Sequence, residues 1–155
     1  MYIDLNSDLG ESYGSWSMGN DEQILPIVSS ANIACGFHAG DADTMKRTIE
    51  LCLQHGVAIG AHPSWPDREN FGRTEMQCSS NEIYAIVTEQ LNIISRITNE
   101  LGEKLHHVKP HGALYNQSAK DRSIAAAIAK AVYDFDSNLL LFVLSGSISL
   151  TEANA

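Results

Sequence analysis

The feature that most restricts how this chain can fold is a pattern that occurs four times. In each instance a short apolar segment leads directly into a polar segment that is rich in reactive side chains. The longest polar segment runs from Asn32 to Asp43 and reads NIACGFHAGDAD, and the other three read NSDLGES, HPS and KPHGALYN. Apolar runs that alternate with helical patterns predict parallel strands, whose carboxyl ends lie at one edge of a sheet. We therefore expect the four polar segments to meet at that edge and to form one site.

Hydrophobic periodicity predicts strands and helices in alternation. The predicted strands cover residues 2–5, 31–34, 57–61, 106–108 and 139–144, and the predicted helices cover residues 22–28, 44–54, 83–101 and 124–135. Helix-capping residues are expected at Asp21, at Asp41 or Asp43, at Ser79 in a capping box with Glu82, and at Asp121. Residues 6–14 are predicted to form a polar turn, and the continuously apolar last strand is predicted to be buried on both faces.

The order of these elements predicts an α/β fold with a parallel sheet, since no hairpin signal is present. Polar motifs after every strand favour a barrel-like wall with its site at one end, and a doubly wound open sheet is the alternative. We expect residues 1–155 to form a single β/α barrel domain. About five β-α units do not close a barrel, which typically takes about 250 residues, so the C-terminal part of the barrel is expected to be absent.

Charge and composition argue against several classes of partner. The formal net charge is -9, so neither nucleic acid nor an anionic membrane is an expected partner. The sequence shows no signal-peptide pattern and no apolar run of transmembrane length, which predicts a cytoplasmic location. The three cysteines lack C-x-x-C spacing and fit a reduced compartment. Cys35 is interpreted as a small buried residue rather than a nucleophile.

Two acidic residues, Asp8 and Glu11, follow the first predicted strand. A carboxylate that a loop shields from water can have its pKa raised and act as a general base, and this is one interpretation of Asp8. The other is that Asp8 caps backbone amides after the strand. The same two interpretations, a functional carboxylate or a capping one, apply to Glu11.

His38 and His62 follow adjacent predicted strands, so their imidazoles are expected to lie close enough to share a proton, a ligand or a metal. With Asp8 they form a candidate set of three metal ligands. No tightly spaced motif such as H-E-x-x-H is present, so a hydrogen-bonded structural role remains the alternative. The remaining histidines of the chain outside the KPHGALYN motif are interpreted as structural: His55, His106 and His107.

Lys109 and His111 flank a proline that holds them in a rigid turn. Lys109 is predicted to bind a carboxylate or phosphate, with a solvated surface lysine as the alternative, and His111 is predicted to donate to developing charge. The long segment 63–74 is interpreted as a lid or a binding wall. Its Arg73 and Arg68 are candidates to close over an anionic substrate, and solvent exposure is an equal alternative for Arg68.

No phosphate-binding loop, dinucleotide fingerprint or nucleophile elbow is present. The residues alone therefore predict a small polar anionic substrate and acid-base chemistry. The predicted catalytic residues are Asp8, His38, His62 and Lys109. The predicted substrate-binding residues are Glu11, Asn32, Arg73 and His111.

Four motifs in order, IDLNSDLGES, ANIACGFHAGD, IGAHPSWPDRENFGR and VKPHGALYN, closely resemble the LamB/YcsF family over the whole chain. The resemblance implies a seven-stranded β/α barrel of the glycoside hydrolase/deacetylase superfamily type, of which this chain matches about the first three fifths. It also implies cleavage of 5-oxo-L-proline to L-glutamate by the A subunit of an ATP-dependent 5-oxoprolinase. ATP with Mg2+ would be the co-substrate, and B and C subunits would be the partners.

In that reaction Lys109, with Arg73, would hold the substrate carboxylate or the transferred phosphoryl group, and Asp8 or His38 would handle protons. Two other functions remain open. One is a stand-alone metal-dependent hydrolase of amides or N-acetyl carbohydrates, with Asp8, His38 and His62 as ligands. The other is an inactive truncated chain, or a scaffold that binds partner subunits.

Overall fold

The computed structural model describes residues 3–155, which form a five-stranded parallel sheet with helices packed on it. The strands are β1 (Asn6–Leu9), β2 (Ser30–Ala34), β3 (Ala58–His62), β4 (His107–Val108) and β5 (Leu140–Leu141). The helices are α1 (Asp21–Ile24), α2 (Ala42–His55), α3 (Ser80–Glu100), α4 (Gly112–Ser118), α5 (Arg122–Phe135) and α6 (Ile148–Ala153). Within the described residues, no helix is both long enough and apolar enough to span a membrane.

The strands lie in the order β1-β2-β3-β4-β5, and each adjacent pair is parallel. Parallel crossovers are almost always right-handed, so connections that all advance in one direction put their helices on one face. A doubly wound sheet instead reverses direction and covers both faces. The sequential order therefore favours the barrel-like arrangement over the open alternative, and α3 packs between α2 and α5 on the helical face.

The two faces of the sheet differ in polarity because side chains alternate along a strand. The residues that face the helices belong to the hydrophobic core, namely Leu9, Ala31, Ile33, Ile59, Ala61 and Val108. The alternate positions carry Asn6, Asp8, Ser30, Asn32, Gly60 and His107. The core thus lies between the sheet and the helices, and the other face of the sheet carries the polar groups.

The predicted helix ends are largely confirmed. The Asp41 side chain accepts a hydrogen bond from the Thr44 amide at 2.8 Å, and Gly56 ends α2 in the left-handed conformation with φ 66°. Ser79 and Glu82 form the predicted capping box at the start of α3. Asp121 caps α5. Residues that satisfy the free amides of a first helical turn can be identified locally, which is why these predictions hold.

The first strand begins later than predicted. Tyr2 lies outside the described residues, and β1 is formed by Asn6–Leu9, which the sequence predicted to be part of a polar turn. Strand formation there depends on distant partners, since Asn6 donates to the Ser30 hydroxyl at 2.8 Å. The prediction of a helix over 22–28 is also too long. Asp21 does not cap α1, because its carboxylate accepts from the Gly10 amide instead.

The last strand is shorter and more exposed than predicted. Leu140 is 51% exposed and Leu144 is 50% exposed, so the prediction of burial on both faces is wrong. In the part of the chain that the structure describes, β5 pairs only with β4, and one edge of it is therefore uncovered. Helix α4 was not predicted, because the glycine and polar residues of KPHGALYN indicated only a turn.

Candidate active site

The polar segments that follow the first four strands meet at the carboxyl edge of the sheet, as the repeated pattern predicts. Lys109 Nζ lies 2.9 Å from Asp8 Oδ1, and Asp8 Oδ2 lies 3.4 Å from His62 Nε2. His62 Nε2 is in turn 3.0 Å from His111 Nδ1. His38 stacks on His111 with ring centroids 3.8 Å apart. Asp8 on β1, His62 at the end of β3 and residues that follow β2 and β4 therefore form one continuous group.

Two hydrogen-bond donors bind the same carboxylate oxygen of Asp8. Asn32 Nδ2 donates to its Oδ1 at 2.6 Å, and Lys109 donates to the same oxygen. Burial by itself raises the pKa of Asp8, but the side chains of His62, Lys109 and Asn32 around its two oxygens outweigh that effect and hold the pKa well below its ordinary value. The predicted rise in the pKa of Asp8 is therefore wrong. Among the described acidic residues near the site it is Glu11 whose pKa burial raises.

A row of residues paired across neighbouring strands connects Asp8 to His107. Asp8 pairs with Asn32, Asn32 with Gly60, and Gly60 with His107 across four neighbouring strands. The His107 ring lies over Gly60, where an added Cβ would be 2.1 Å from His107 Nε2, and it reaches Asn32 Oδ1 at 2.7 Å. Because His107 Nε2-H donates to the oxygen of the Asn32 amide, the NH2 of that amide faces Asp8.

His62 and His111 are each fixed by a backbone carbonyl. His62 Nδ1 lies 2.6 Å from the Lys109 carbonyl oxygen, and His111 Nε2 lies 2.9 Å from the Phe71 carbonyl oxygen. A carbonyl oxygen only accepts hydrogen bonds, so both of these ring nitrogens must carry the proton. In the neutral rings the two facing nitrogens, His62 Nε2 and His111 Nδ1, are therefore unprotonated.

His38 is the most enclosed member of the group. Its side chain is fully buried, and neither ring nitrogen has a hydrogen-bond partner. Burial lowers the pKa of His38 to about 3, and it lowers the pKa of His111 to about 4. Both rings are therefore neutral near pH 7. The Nε2 atom of His38 points toward Glu11, whose Oε1 lies 3.5 Å away.

The long segment after β3 forms a fixed wall of the site. Gln90 of α3 binds both the amide and the carbonyl of Ser64, each at 2.9 Å, and the Trp65 indole donates to Gln117 at 2.7 Å. Phe71 adopts a left-handed conformation with φ 57°, which is rare for a bulky residue and directs its carbonyl to His111. Of the two predicted interpretations, these contacts favour a binding wall over a lid.

Comparison with known proteins agrees with this architecture. The model of the LamB/YcsF family matches residues 3–155. The chain belongs to the LamB/YcsF family. The A subunit of a 5-oxoprolinase from Bordetella pertussis is 54% identical over 153 residues, which cover 99% of this chain and 61% of the relative. The corresponding subunit from Shouchella clausii is 57% identical over 145 residues, which cover 94% of this chain and 57% of the relative.

A solved structure resembles this LamB/YcsF chain throughout its length. It is the crystal structure of a lactam utilization protein from Thermus thermophilus, with a TM-score of 0.98 and 50% sequence identity. The match covers 99% of this chain and 62% of that protein. This chain therefore spans about three fifths of the length of the family members it matches.

The two loop arginines of this family member differ in their surroundings. Arg68 donates to the carbonyl of Gly36 and, at 2.8 Å, to that of Gly40, so it ties the long loop to the central motif. Arg68 is exposed to solvent, as one interpretation predicts, and these two bonds hold its guanidinium at the central motif. The guanidinium of Arg73 lies over the Phe71 ring, 5.1 Å from its centroid, and forms no ion pair within residues 3–155. Arg73 therefore remains a candidate anion-binding residue.

The residues that could bind a metal in the structure differ from the predicted set of Asp8, His38 and His62. Ligand atoms of Glu11, His38, His62 and His111 all lie within 4.8 Å of one another. Glu11 and His111 thus take the place predicted for Asp8, whose Oδ1 is already bound by Lys109. Cys35 is buried in the core, and burial raises the pKa of its thiol to about 12, in agreement with the interpretation of a buried residue.

The structural interpretation of His107 agrees with its burial and its hydrogen bond to Asn32, and the structure adds that this bond orients the Asn32 amide toward Asp8. A signal was available, because His107 lies two residues before Lys109 and the two therefore occupy the same face if the strand continues. What could not be derived is the partner, since the contact with Asn32 joins residues 75 positions apart and depends on Gly60 lying between them.

Proposed function

We propose that this chain takes part in the ATP-dependent cleavage of 5-oxo-L-proline to L-glutamate, as part of the A subunit of a 5-oxoprolinase. The observation that carries the proposal is the placement of Asp8, ionised and bound to Lys109, beside His62 at the edge where the family motifs converge. The names of the similar proteins support the same assignment: relatives are named as the A subunit of 5-oxoprolinase, and the Thermus protein is named for lactam utilization.

The chemistry explains why ATP would be required. The five-membered lactam of 5-oxoproline is stable, and transfer of the γ-phosphoryl group to its amide oxygen would release ADP and make the ring carbon a stronger electrophile. Water would then add to that carbon, and the C–N bond would break as the nitrogen takes up a proton, which leaves the new carboxyl group as an acyl phosphate. A second water would hydrolyse the acyl phosphate to the side-chain carboxylate of L-glutamate and release phosphate. Mg2+ would accompany ATP, as in other phosphoryl transfers.

The site residues suit separate parts of this reaction. Lys109 lines a cavity of about 490 Å3 together with Asn6 and Tyr115, so its ammonium group could hold the substrate carboxylate or the phosphoryl group, with help from Arg73. Asp8 is a better candidate for proton transfer than His38, because its side chain is 38% exposed whereas that of His38 is fully buried. An ionised carboxylate can orient water and accept its proton.

The wider assembly is part of the same proposal. The sequential strand order and one-sided helices support a seven-stranded barrel of the glycoside hydrolase/deacetylase type, to which residues 1–155 contribute a single domain. The partners would be B and C subunits, because relatives are named as an A subunit. The need for ATP would place the reaction in the cytoplasm.

The test is to mix this chain with B and C subunits and to measure phosphate release from ATP with and without 5-oxoproline. We expect release that depends on 5-oxoproline. The Bordetella pertussis relative serves as the positive control in the same mixture. Release with that relative and none with this chain would contradict the proposal and favour the inactive or scaffold alternative.

A second candidate function is favoured by the group of Glu11 with three buried histidines. This is a stand-alone metal-dependent hydrolase of amides or N-acetyl carbohydrates, in which a bound metal would activate water. It predicts hydrolysis by the isolated chain without ATP or partner subunits. Assay of 5-oxoproline and N-acetylated sugars under those conditions separates the two functions.

A further inference from the structure

The contact between His62 and His111 lacks a proton in the neutral state. Their facing nitrogens, His62 Nε2 and His111 Nδ1, are 3.0 Å apart, and each ring already donates its only proton to a backbone carbonyl on the other side. Two lone pairs at this distance repel each other. A positive species between the two nitrogens, either a proton or a metal ion, would remove that repulsion.

Two features of the pair match a metal site. In a tetrahedral site, two nitrogens that each lie about 2.1 Å from the metal are about 3.4 Å from each other, so the observed 3.0 Å needs an opening of only a few tenths of an ångström. Histidines that bind metals also donate the remaining N–H to a carbonyl or carboxylate, which fixes the ring and its tautomer. The carbonyls of Lys109 and Phe71 provide this support for His62 and His111 respectively.

Glu11 supplies a carboxylate beside the two nitrogens. Its side chain is only 12% exposed, and no hydrogen bond to it comes from the described part of the chain. Its ligand oxygen lies within 4.8 Å of the histidine nitrogens. Burying an ionised carboxylate without a donor is costly, and a cation is what would offset that cost.

Asp8 and His38 are less suited to the same ion. Asp8 Oδ1 accepts from both Lys109 and Asn32. The ring of His38 is stacked 7° from parallel on that of His111, with the centroids 3.8 Å apart. An imidazole binds a metal in the plane of its ring, so two stacked rings do not share an ion. His38 Nε2 instead faces Glu11 and can orient its carboxylate.

We propose that Glu11, His62 Nε2 and His111 Nδ1 bind a divalent transition-metal ion of the Zn2+ type, and that His38 orients Glu11. Two imidazoles and one carboxylate suit such ions, whereas Mg2+ and Ca2+ prefer oxygen ligands alone. Three protein ligands also leave a coordination position open, as in catalytic rather than structural zinc sites. The proposal does not depend on the 5-oxoprolinase reaction, because it concerns binding.

The first test is calorimetric titration of the chelator-treated chain with Zn2+, with Mg2+ as the comparison ion. We expect one Zn2+ per chain and no comparable binding of Mg2+. Glu11→Gln and His111→Gln should abolish stoichiometric binding, and His38→Gln should weaken it about 10-fold as a supporting residue. The exposed residues Glu103 and His55 provide matched controls, because Glu103→Gln and His55→Gln should bind as the unsubstituted chain does.

Circular dichroism of each variant identifies any loss of fold. Absence of Zn2+ binding by the unsubstituted chain would overturn the proposal and leave a shared proton as the species between the histidines. Retention of binding in folded Glu11→Gln and His111→Gln would also overturn it.

The second test needs no substitution. Long-range 1H-15N spectra of the unsubstituted chain report which nitrogen of each histidine is protonated. On addition of Zn2+ we expect the Nε2 resonance of His62 and the Nδ1 resonance of His111 to shift, while His62 Nδ1 and His111 Nε2 stay protonated. Unchanged spectra, or shifts confined to other histidines, would contradict the proposed ligands.

Discussion

Lys109 Nζ lies 2.9 Å from Asp8 Oδ1, although the two residues are 101 positions apart in the sequence. Asp8 is on β1 and Lys109 follows β4, with β2 and β3 between them. In a flat sheet, strands three positions apart are separated by about 14 Å, which is more than these two side chains span. The sheet therefore curves around its polar face, as the wall of a barrel does, and this curvature brings the cation to the carboxylate.

Removing the ammonium group of Lys109 should change the pKa of Asp8. We expect Lys109→Met to raise the pKa of Asp8, because the substitution removes a hydrogen-bond donor that favours the ionised form. The side-chain carbonyl resonance of Asp8 in 13C spectra, followed as a function of pH, measures this. The matched control is Lys120→Met, which lies outside the site. An unchanged pKa in Lys109→Met would show that the ion pair does not hold Asp8 ionised.

Gly60 should tolerate no side chain while His107 is present. An added Cβ would lie 2.1 Å from His107 Nε2, so Gly60→Ala should destabilise the chain by several kcal/mol through overpacking. In a His107→Ala background the same change should cost much less, because the obstructing ring is gone. Denaturant unfolding of the two single variants and the double variant measures the coupling. Additive effects would contradict the described packing.

Acid should destabilise the chain in a pH range set by its buried histidines. Burial, with a smaller effect of His106, lowers the pKa of His107 to about 4, whereas an unfolded histidine titrates near about 6.5. Between these values the unfolded state binds more protons, so stability falls as the pH falls. His107 contributes a slope of up to about 1.4 kcal/mol per pH unit.

The slope of unfolding free energy against pH, measured from pH 7 to pH 4, checks this prediction. His107→Gln should reduce the slope, and the exposed His55→Gln should not. Equal slopes in the unsubstituted chain and in His107→Gln would mean that His107 is not held neutral.

The capping box should stabilise α3 measurably. Ser79 accepts from the Glu82 amide, and Glu82 binds the Ser79 amide at 2.8 Å in return. Ser79→Ala should therefore lower the unfolding free energy by about 1 kcal/mol. Ser80→Ala is the matched control, since Ser80 is exposed and caps no amide. Chemical denaturation of both variants compares them, and equal stability would argue against the cap.

Local patterns were sufficient for the helices and for the position of the site. The spacing of Ile83, Val87 and Leu91 predicts the buried face of α3, because it repeats at the helical period. The grouping of His38 with His62 follows from one rule, that parallel strands end at the same edge. Neither inference requires knowledge of a distant contact.

Apart from helix α4, the main missed features depend on distant partners. Asn6 and Asp8 resemble turn residues locally, and they form a strand because Ser30 and Asn32 satisfy their side chains. The tautomer of His111 depends on the carbonyl of Phe71, a residue in the left-handed conformation that no sequence pattern indicated. Such contacts are fixed by packing in three dimensions, so a single sequence does not specify them.

The most direct test of the proposed active site is the rate of L-glutamate formation from 5-oxoproline and ATP by this chain mixed with B and C subunits. The unsubstituted chain is compared with Asp8→Asn, which keeps the size of the side chain and removes its charge. We expect glutamate formation to fall by orders of magnitude in Asp8→Asn while circular dichroism stays the same. Equal rates in the two proteins would contradict the assignment of Asp8 and its neighbours as the site of lactam cleavage.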